Sequence, residues 1–293
     1  MTVMASHTAF ISLLSIALGL SWLVTGCANT APQPSTTVSP LADEAIAPES
    51  TSGSETLSTS QSEELTDFPH QRIELVDEVE PGSDFDQFRA QLQQAIRDRD
   101  ADFVRSLIPA EGISIGFGRP MTAEDLQLED PDSFFWNSLQ KAMLPGCAVL
   151  ENAGEEATVD PNTQVWECAN VAQAFFEQYP PPADADGVDD AIRSVIVVGA
   201  AVNVRLTPGS DRPIIAQLSN EVVEFDQETW ESLPPEVRED MLTNLMDGWT
   251  PVILPDDRHG YVANLYAYRP LEPRFIFGKA NGSWQILRVP AGD

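Results

Sequence analysis

The sequence is short of basic residues and nearly without histidine. Lys and Arg number 16 against 46 Asp and Glu, a formal net charge of −30 at pH 7. A nucleic-acid surface needs clustered cations to release counterions from phosphates, so nucleic acid is excluded as a partner. The same charge repels anionic lipid headgroups, which rules out simple adsorption to a membrane surface. The acidity reads as a solubilising surface, ahead of a specific cationic partner. His7, His70 and His259 are too few and too far apart for the clustered ligands of a zinc hydrolase, and no metal or cofactor is expected. A serine hydrolase of the nucleophile-elbow type is not expected either. With so many acids, chance carboxylate pairs are inevitable and do not point to glycan cleavage.

What is present begins with a targeting segment. Thr8 to Val24 is apolar and uncharged, and residues 1–27 are set aside from fold reasoning. The segment ends in Leu23-Val24-Thr25-Gly26-Cys27, which resembles the lipobox of bacterial lipoproteins. The resemblance implies lipidation of Cys27 and an N-terminal lipid anchor in the cell envelope, with the folded part facing periplasm or exterior. Two acyl chains and an amide-linked third hold stably where one is marginal. Ala28 follows, so the Asp of the enterobacterial inner-membrane retention signal is absent. The alternative is a transmembrane anchor, since roughly 17 apolar residues just span a bilayer.

Residues 28–81 are rich in Ser, Thr, Pro, Glu and Ala, with 11 acids and one Arg, and read as a disordered, expanded tether. Ile73-Glu74-Leu75-Val76 is an extended piece able to dock on the next domain. A small α+β domain is expected over 82–178. Ser83 and Asp86 have capping-box spacing, and Phe85, Phe88, Leu92, Ala95 and Ile96 recur at helical period. Asp100 caps a second helix, and Phe134 to Leu144 forms a further one. Ile113 to Phe117, Cys147 to Leu150 and Thr163 to Val171 read as strands. Tyr179 to Asp190, opening on three prolines, reads as a linker.

Residues 191–293 carry the strongest pattern. Val195–Val198, Ala201–Arg205, Ile214–Leu218, Val222–Phe225, Thr250–Leu254 and Gly260–Ala263 are short and β-branched or aromatic, separated by turn residues. Asn203-Val204-Arg205-x-x-Pro208, Ile215-x-x-Leu218, Val222-Val223, Gly248-Trp249 and Gly260-Tyr261-Val262 with Leu265-Tyr266 together resemble a bacterial SH3 (SH3b) domain. This resemblance covers about a quarter of the chain, and the α+β region before it resembles the one that precedes the SH3 domain in uncharacterised lipoproteins of cyanobacterial type. The resemblance implies an all-β SH3-like barrel. Two departures stand out: a helical insertion at 227–247 precedes Gly-Trp, and Tyr261 replaces a more usual Trp. Asn281-Gly282 marks an extra hairpin at 273–289, expected to pack on the barrel and cover an edge.

Cys147 and Cys168 form an even pair on neighbouring strands and predict a disulfide, with two buried thiols as the alternative. Superficially, Asp184 to Asp190 suggests a calcium loop. Gly187 at its sixth position, however, puts Arg193 where a carboxylate is needed. SH3b domains often accompany wall hydrolases of the Cys-His type, but only 25 residues follow Tyr268 here. No catalytic residues are assigned. Asn203, Arg205, Trp249, Tyr261 and Tyr266 form the candidate binding site, offering flat aromatic platforms, with barrel core as the alternative for the rings. In and beside the insertion, Phe225, Trp230, Leu233, Val237, Met241, Leu242, Leu245 and Met246 space as one helical face that packs on the barrel or lids the site. The expected function is non-catalytic recognition of peptidoglycan or another envelope component. The alternative is an assembly lipoprotein that binds a partner protein through the α+β domain.

Overall fold

The computed structural model describes residues 65–151, 159–183 and 187–292. Cys27, the segment around it and the tether up to residue 64 lie outside the described residues, as do Asp184 to Asp186. The described residues belong to one compact unit of mixed α+β type built on two sheets.

The first helix, α1 (Asp84–Asp98), starts as its spacing predicts. Ser83 Oγ accepts from the Asp86 amide at 3.1 Å, and the Asp86 carboxylate accepts from the Gly82 amide at 2.8 Å. Its face of Phe85, Phe88, Leu92, Ala95 and Ile96 is buried. Helix α2 (Ala101–Ser106) is capped by Asp100. Then come β1 (Ser114–Ile115), α3 (Phe134–Ala142), β2 (Cys147–Val149) and β3 (Trp166–Cys168).

The C-terminal hairpin, β11 (Phe275–Ala280) and β12 (Ser283–Val289), does not pack on the second sheet as expected. It completes the first, in the order β1-β12-β11-β3-β2. Phe275, Ile276 and Phe277 of β11 pair with Cys168, Glu167 and Trp166 of β3. The reason lies in the run itself: Phe275, Ile276 and Phe277 are all fully buried. A strand apolar on both faces needs cover above and below, and Phe275 and Phe277 find it in the core that α1 and α3 build on the first sheet. The Asn281-Gly282 turn behaves as predicted, with positive φ at both residues. Around β11 the rings interlock. Phe85 stacks on Trp166 at 4.4 Å between centroids, and Phe88 packs edge-on against Phe277 at 5.6 Å.

Next to this strand the Cys147–Cys168 disulfide is formed across directly paired residues of β2 and β3, with a Cα–Cα distance of 4.2 Å. A loop of this size contributes roughly 3 kcal/mol by constraining the unfolded chain.

Two helices occupy what read as strand end and linker. These are α4 (Val171–Gln178) and α5 (Val188–Arg193), the latter entered through Gly187 at φ +78°. The second sheet comes next, with β4 (Ser194–Val197), β5 (Val202–Arg205), β6 (Ile214–Leu218) and β7 (Glu221–Phe225). The insertion forms α6 (Gln227–Ser232) and α7 (Pro235–Thr243), and β8 (Trp249–Ile253), β9 (His259–Ala263) and β10 (Ala267–Tyr268) complete the set. The seven strands run in the order β10-β4-β7-β8-β9-β5-β6, every pairing antiparallel. Residues from both ends of this ladder, Ala267 and Leu218, enter one apolar cluster with Val195, Val204, Val252 and Val262. The ladder itself does not close into the expected barrel. Strand β10 is two residues long and pairs only with β4, and on β6 the Gln217 amide bonds the Leu65 carbonyl instead of a strand.

Leu65 belongs to a strap, 65–81, that the sequence pattern assigns to the tether. Its backbone joins β7 through Val222 N to Gln71 O (2.8 Å), then reaches β2 through Glu78 N to Cys147 O (2.9 Å). Gln178 brackets it by accepting from Glu74 N and donating to Glu74 O. Ile73 of the strap, Phe175 of α4, Ala191 of α5, Ile196, Val222 and Tyr268 form a third apolar cluster that seats the strap and both helices on the second sheet. Lys141 at the end of α3, 4% exposed, adds a polar tie by donating to Ala267 O at 2.8 Å and pairing with Glu272 at 2.9 Å.

Because β11 is a central strand, Phe277→Ala should cost about 3–5 kcal/mol in chemical denaturation. A loss below about 1 kcal/mol, the scale of an ordinary surface change, would contradict this placement.

Candidate functional site

The ladder registers decide which candidate residues meet. Val204, Val252 and Val262 point into the core, so their sequence neighbours point out from the other side. On β9 this outer set is His259, Tyr261 and Ala263, and Tyr261 is paired with Pro251 of β8 and Arg205 of β5. Trp249 pairs with Ala263 on the same side. Asn203, two residues before Arg205, faces the same way and accepts from Gln217 Nε2 at 2.9 Å. Four of the five predicted residues, Asn203, Arg205, Trp249 and Tyr261, therefore share one face, each half-buried.

The strands approach closely here because residue 260 is glycine. A Cβ at Gly260 would lie 2.6 Å from Val204 Cγ1 and 2.8 Å from Ile215 Cδ1. Tyr266 stands apart, in the turn between β9 and β10, where its carbonyl accepts from Val198 N and its amide bonds Ala263 O. Tyr268 is core. Its hydroxyl donates to Lys141 O at 3.1 Å, and burial pushes the phenol far up.

One end of the face carries a pair that sequence reasoning missed. His259 Nδ1 lies 2.6 Å from Asp226 Oδ2, with the carboxylate buried and the imidazole 59% exposed. Asp226 also caps α6, accepting from Thr229 N at 2.8 Å and Thr229 Oγ1 at 2.6 Å. Burial pushes the Asp226 carboxyl up, but the hydrogen bonds from Thr229 and His259 outweigh it and hold it below its usual value. In return the Asp226 hydrogen bond raises His259, with Glu228 and Asp257 adding to the effect. Burial raises Tyr261, helped by the Asp226 charge. The Asp-x-x-Thr cap was readable in the sequence. The partner strand, 33 residues on, was not.

Gly112-Ile113-Ser114-Ile115-Gly116 has the Gly-x-Ser-x-Gly spacing, which sequence reasoning overlooked. Ser114 lies in β1, paired in parallel with β12, and a turn comes directly after it. An elbow needs a helix at that point, so the match has no elbow geometry. Among the described residues no group of three or more His, Cys, Asp or Glu is placed to hold a metal ion.

The insertion is not one continuous apolar face. Leu233 breaks it at ψ 147°, and Val237 is 39% exposed. Trp230, Met241 and Leu245 line a cavity of about 280 Å3 together with Phe225, Thr250 and Pro251. Its polar walls are internally paired. Arg269 sits 4.2 Å over the Phe225 ring and donates to Ile192 O, Lys141 pairs with Glu272, and Asn264 bonds Asn244 O and Thr250.

No protein-family model, no curated protein and no solved structure matches the chain.

His259 titrates above the ordinary histidine value of 6.5, so the stability from its pair is complete below that pH and lost as pH rises through the raised value. In Asp226→Asn, an NMR titration should move the His259 midpoint down and flatten this stretch of the stability profile. An unmoved midpoint would show that the pair does not govern the titration.

Proposed function

We propose that the chain is a lipid-anchored envelope protein whose second sheet is an SH3b-like, non-catalytic binding module for cell-wall peptide. One observation carries the reading: the antiparallel register sets Asn203, Arg205, Tyr261 and Trp249 side by side on a single face. The five strands β7-β8-β9-β5-β6 span the stretch with the SH3b-like motifs and lie next to one another in the ladder.

The chemistry suits a short peptide with a carboxylate. Tyr261 and Trp249 offer flat apolar surface at little cost in side-chain entropy. Arg205 supplies a guanidinium that forks onto a carboxylate, beside the amide of Asn203. His259, its affinity for a proton raised by Asp226, adds a second cation to an otherwise acidic protein. Peptidoglycan stem peptides present this combination of carboxylates and short apolar side chains. The strap and tether fit a module carried at a distance from a lipid anchor at Cys27.

A second reading has its own observation. Phe117, 84% exposed, and Leu144, 53% exposed, stand on the part of the chain built on the first sheet and offer apolar contact to a partner protein.

Co-sedimentation of the full-length protein with purified peptidoglycan tests the first reading. Pelleting should persist in high salt, and Tyr261→Ala should weaken it at least about tenfold, the scale of an aromatic hot spot. Equal pelleting of wild type and Tyr261→Ala, or none at either salt, would remove the wall-binding reading and favour the protein partner.

A further inference from the structure

The hydrogen bonds around the cavity under the insertion leave one thing over, and that is charge. Its apolar walls include Phe225, Trp230, Met241, Leu245 and Leu271, and three ionisable groups join them: Lys141, Arg269 and Glu272. Lys141 and Glu272 pair at 2.9 Å, so their charges offset each other. Arg269 has no carboxylate in ion-pair contact among the described residues. The lining therefore carries one positive charge in excess, in a protein of net charge −30.

Arg269 is also incompletely bonded. A guanidinium has five N–H donors. Among the described residues its hydrogen bond runs from Nη2 to the Ile192 carbonyl, and its Cζ lies 4.2 Å from the centroid of the Phe225 ring. Neither contact neutralises the charge. Nε and Nη1 make no bond and are not sealed from solvent, so both keep donors to offer. Burial lowers the proton affinity of Arg269, and the Glu272 charge only partly opposes it. A guanidinium stays ionised all the same. A desolvated charge without a counter-ion is costly, and a carboxylate that forks onto it offsets the cost.

We infer that this cavity binds a small monocarboxylate with an aromatic or branched apolar body, the carboxylate held by Arg269 and the body by Trp230, Met241 and Leu245. Size fixes the body. The volume of about 280 Å3 exceeds the roughly 150 Å3 that holds benzene, which leaves room for a ring with its carboxylate and a short alkyl group. Charge fixes the head, because a single positive charge is in excess and Glu272 opposes a second anion. Phe134 and Ile192, both exposed, belong to the lining too, so the space opens to solvent and a ligand can enter. The site shares none of Asn203, Arg205, Trp249 and Tyr261, and it does not rest on the wall-binding reading.

4-Ethylbenzoate and 4-ethylbenzamide test the assignment, because they share a shape and differ in charge. In an NMR titration of the full-length protein at neutral pH, 4-ethylbenzoate should give saturable shifts of the Trp230 indole and the Leu245 amide. It should bind about tenfold more tightly than 4-ethylbenzamide. In Arg269→Met, which keeps an unbranched side chain beside Phe225 and removes the charge, the two probes should bind equally. Three results would overturn the proposal: no saturable shifts up to the solubility limit of 4-ethylbenzoate, shifts confined to Arg205 and Tyr261 on the outer face, or equal binding of the two probes by the wild type. A preference that survives in Arg269→Met would also overturn it. If that variant fails to fold, the wild-type preference and the location of the shifts still decide.

Discussion

Full burial of Phe275, Ile276 and Phe277 on both faces of β11 is the constraint on which the rest of the structure depends. A strand of this kind needs a neighbour at each edge and a layer on each side. The chain supplies β12 through the Asn281-Gly282 turn, and it supplies β3 from far back in the sequence. Everything between Cys168 and Phe275, including the whole second sheet, is thereby a loop whose two ends lie on adjacent strands. The core of Phe85, Phe88, Trp166 and Trp284 forms only when that loop closes. Non-local pairing of this kind is slow, because the entropy of closure is lost before the contacts reward it. The disulfide links β2 to β3, the strand on whose other side β11 pairs.

The second sheet is held against the first by groups that the strap, α4 and α5 contribute together. Ile73, Phe175 and Ala191 cover the side of β4 and β7 turned away from the core of the sheet. His70 anchors the strap beside them. Its Nδ1 lies 2.6 Å from the buried Glu221 carboxylate and its Nε2 2.9 Å from Thr66 O. A carbonyl only accepts, so Nε2 carries a proton, and the Glu221 hydrogen bond favours one on Nδ1 as well. The result is a raised His70, opposed by its own desolvation and by Arg72. Arg205, Tyr261 and Trp249 lie together on one side of β5, β9 and β8, each half-buried.

Local signals in the sequence translated directly into structure. The Ser83 and Asp100 caps, the buried face of α1, the Asn281-Gly282 turn and the Cys147–Cys168 pair depend on neighbours or on simple strand geometry. The outer face was legible for the same reason, since alternation along β5 and β9 sorts Val204 and Val262 from Arg205 and Tyr261. What failed was partner choice across distance. The Phe-Ile-Phe run reads only as half of an edge-covering hairpin, and nothing local says which sheet receives it. Val171 to Gln178 was masked by the strand-like residues before it, and Val188 to Arg193 by the prolines and acids of the preceding stretch. Asp226 and His259 carry individual signals, a helix cap and a strand start, and their meeting is a product of the β7–β8 and β8–β9 registers together.

If closure of the first sheet by β11 makes the two sheets one cooperative unit, native-state hydrogen exchange reads it most directly. Amides of Phe275–Phe277, Trp166–Cys168 and Val195–Val197 should exchange with the same free energy and the same denaturant dependence, as members of one global opening. Persistent protection of Val195–Val197 under conditions in which Phe275–Phe277 already exchange would contradict the account. It would make the second sheet a folding unit of its own.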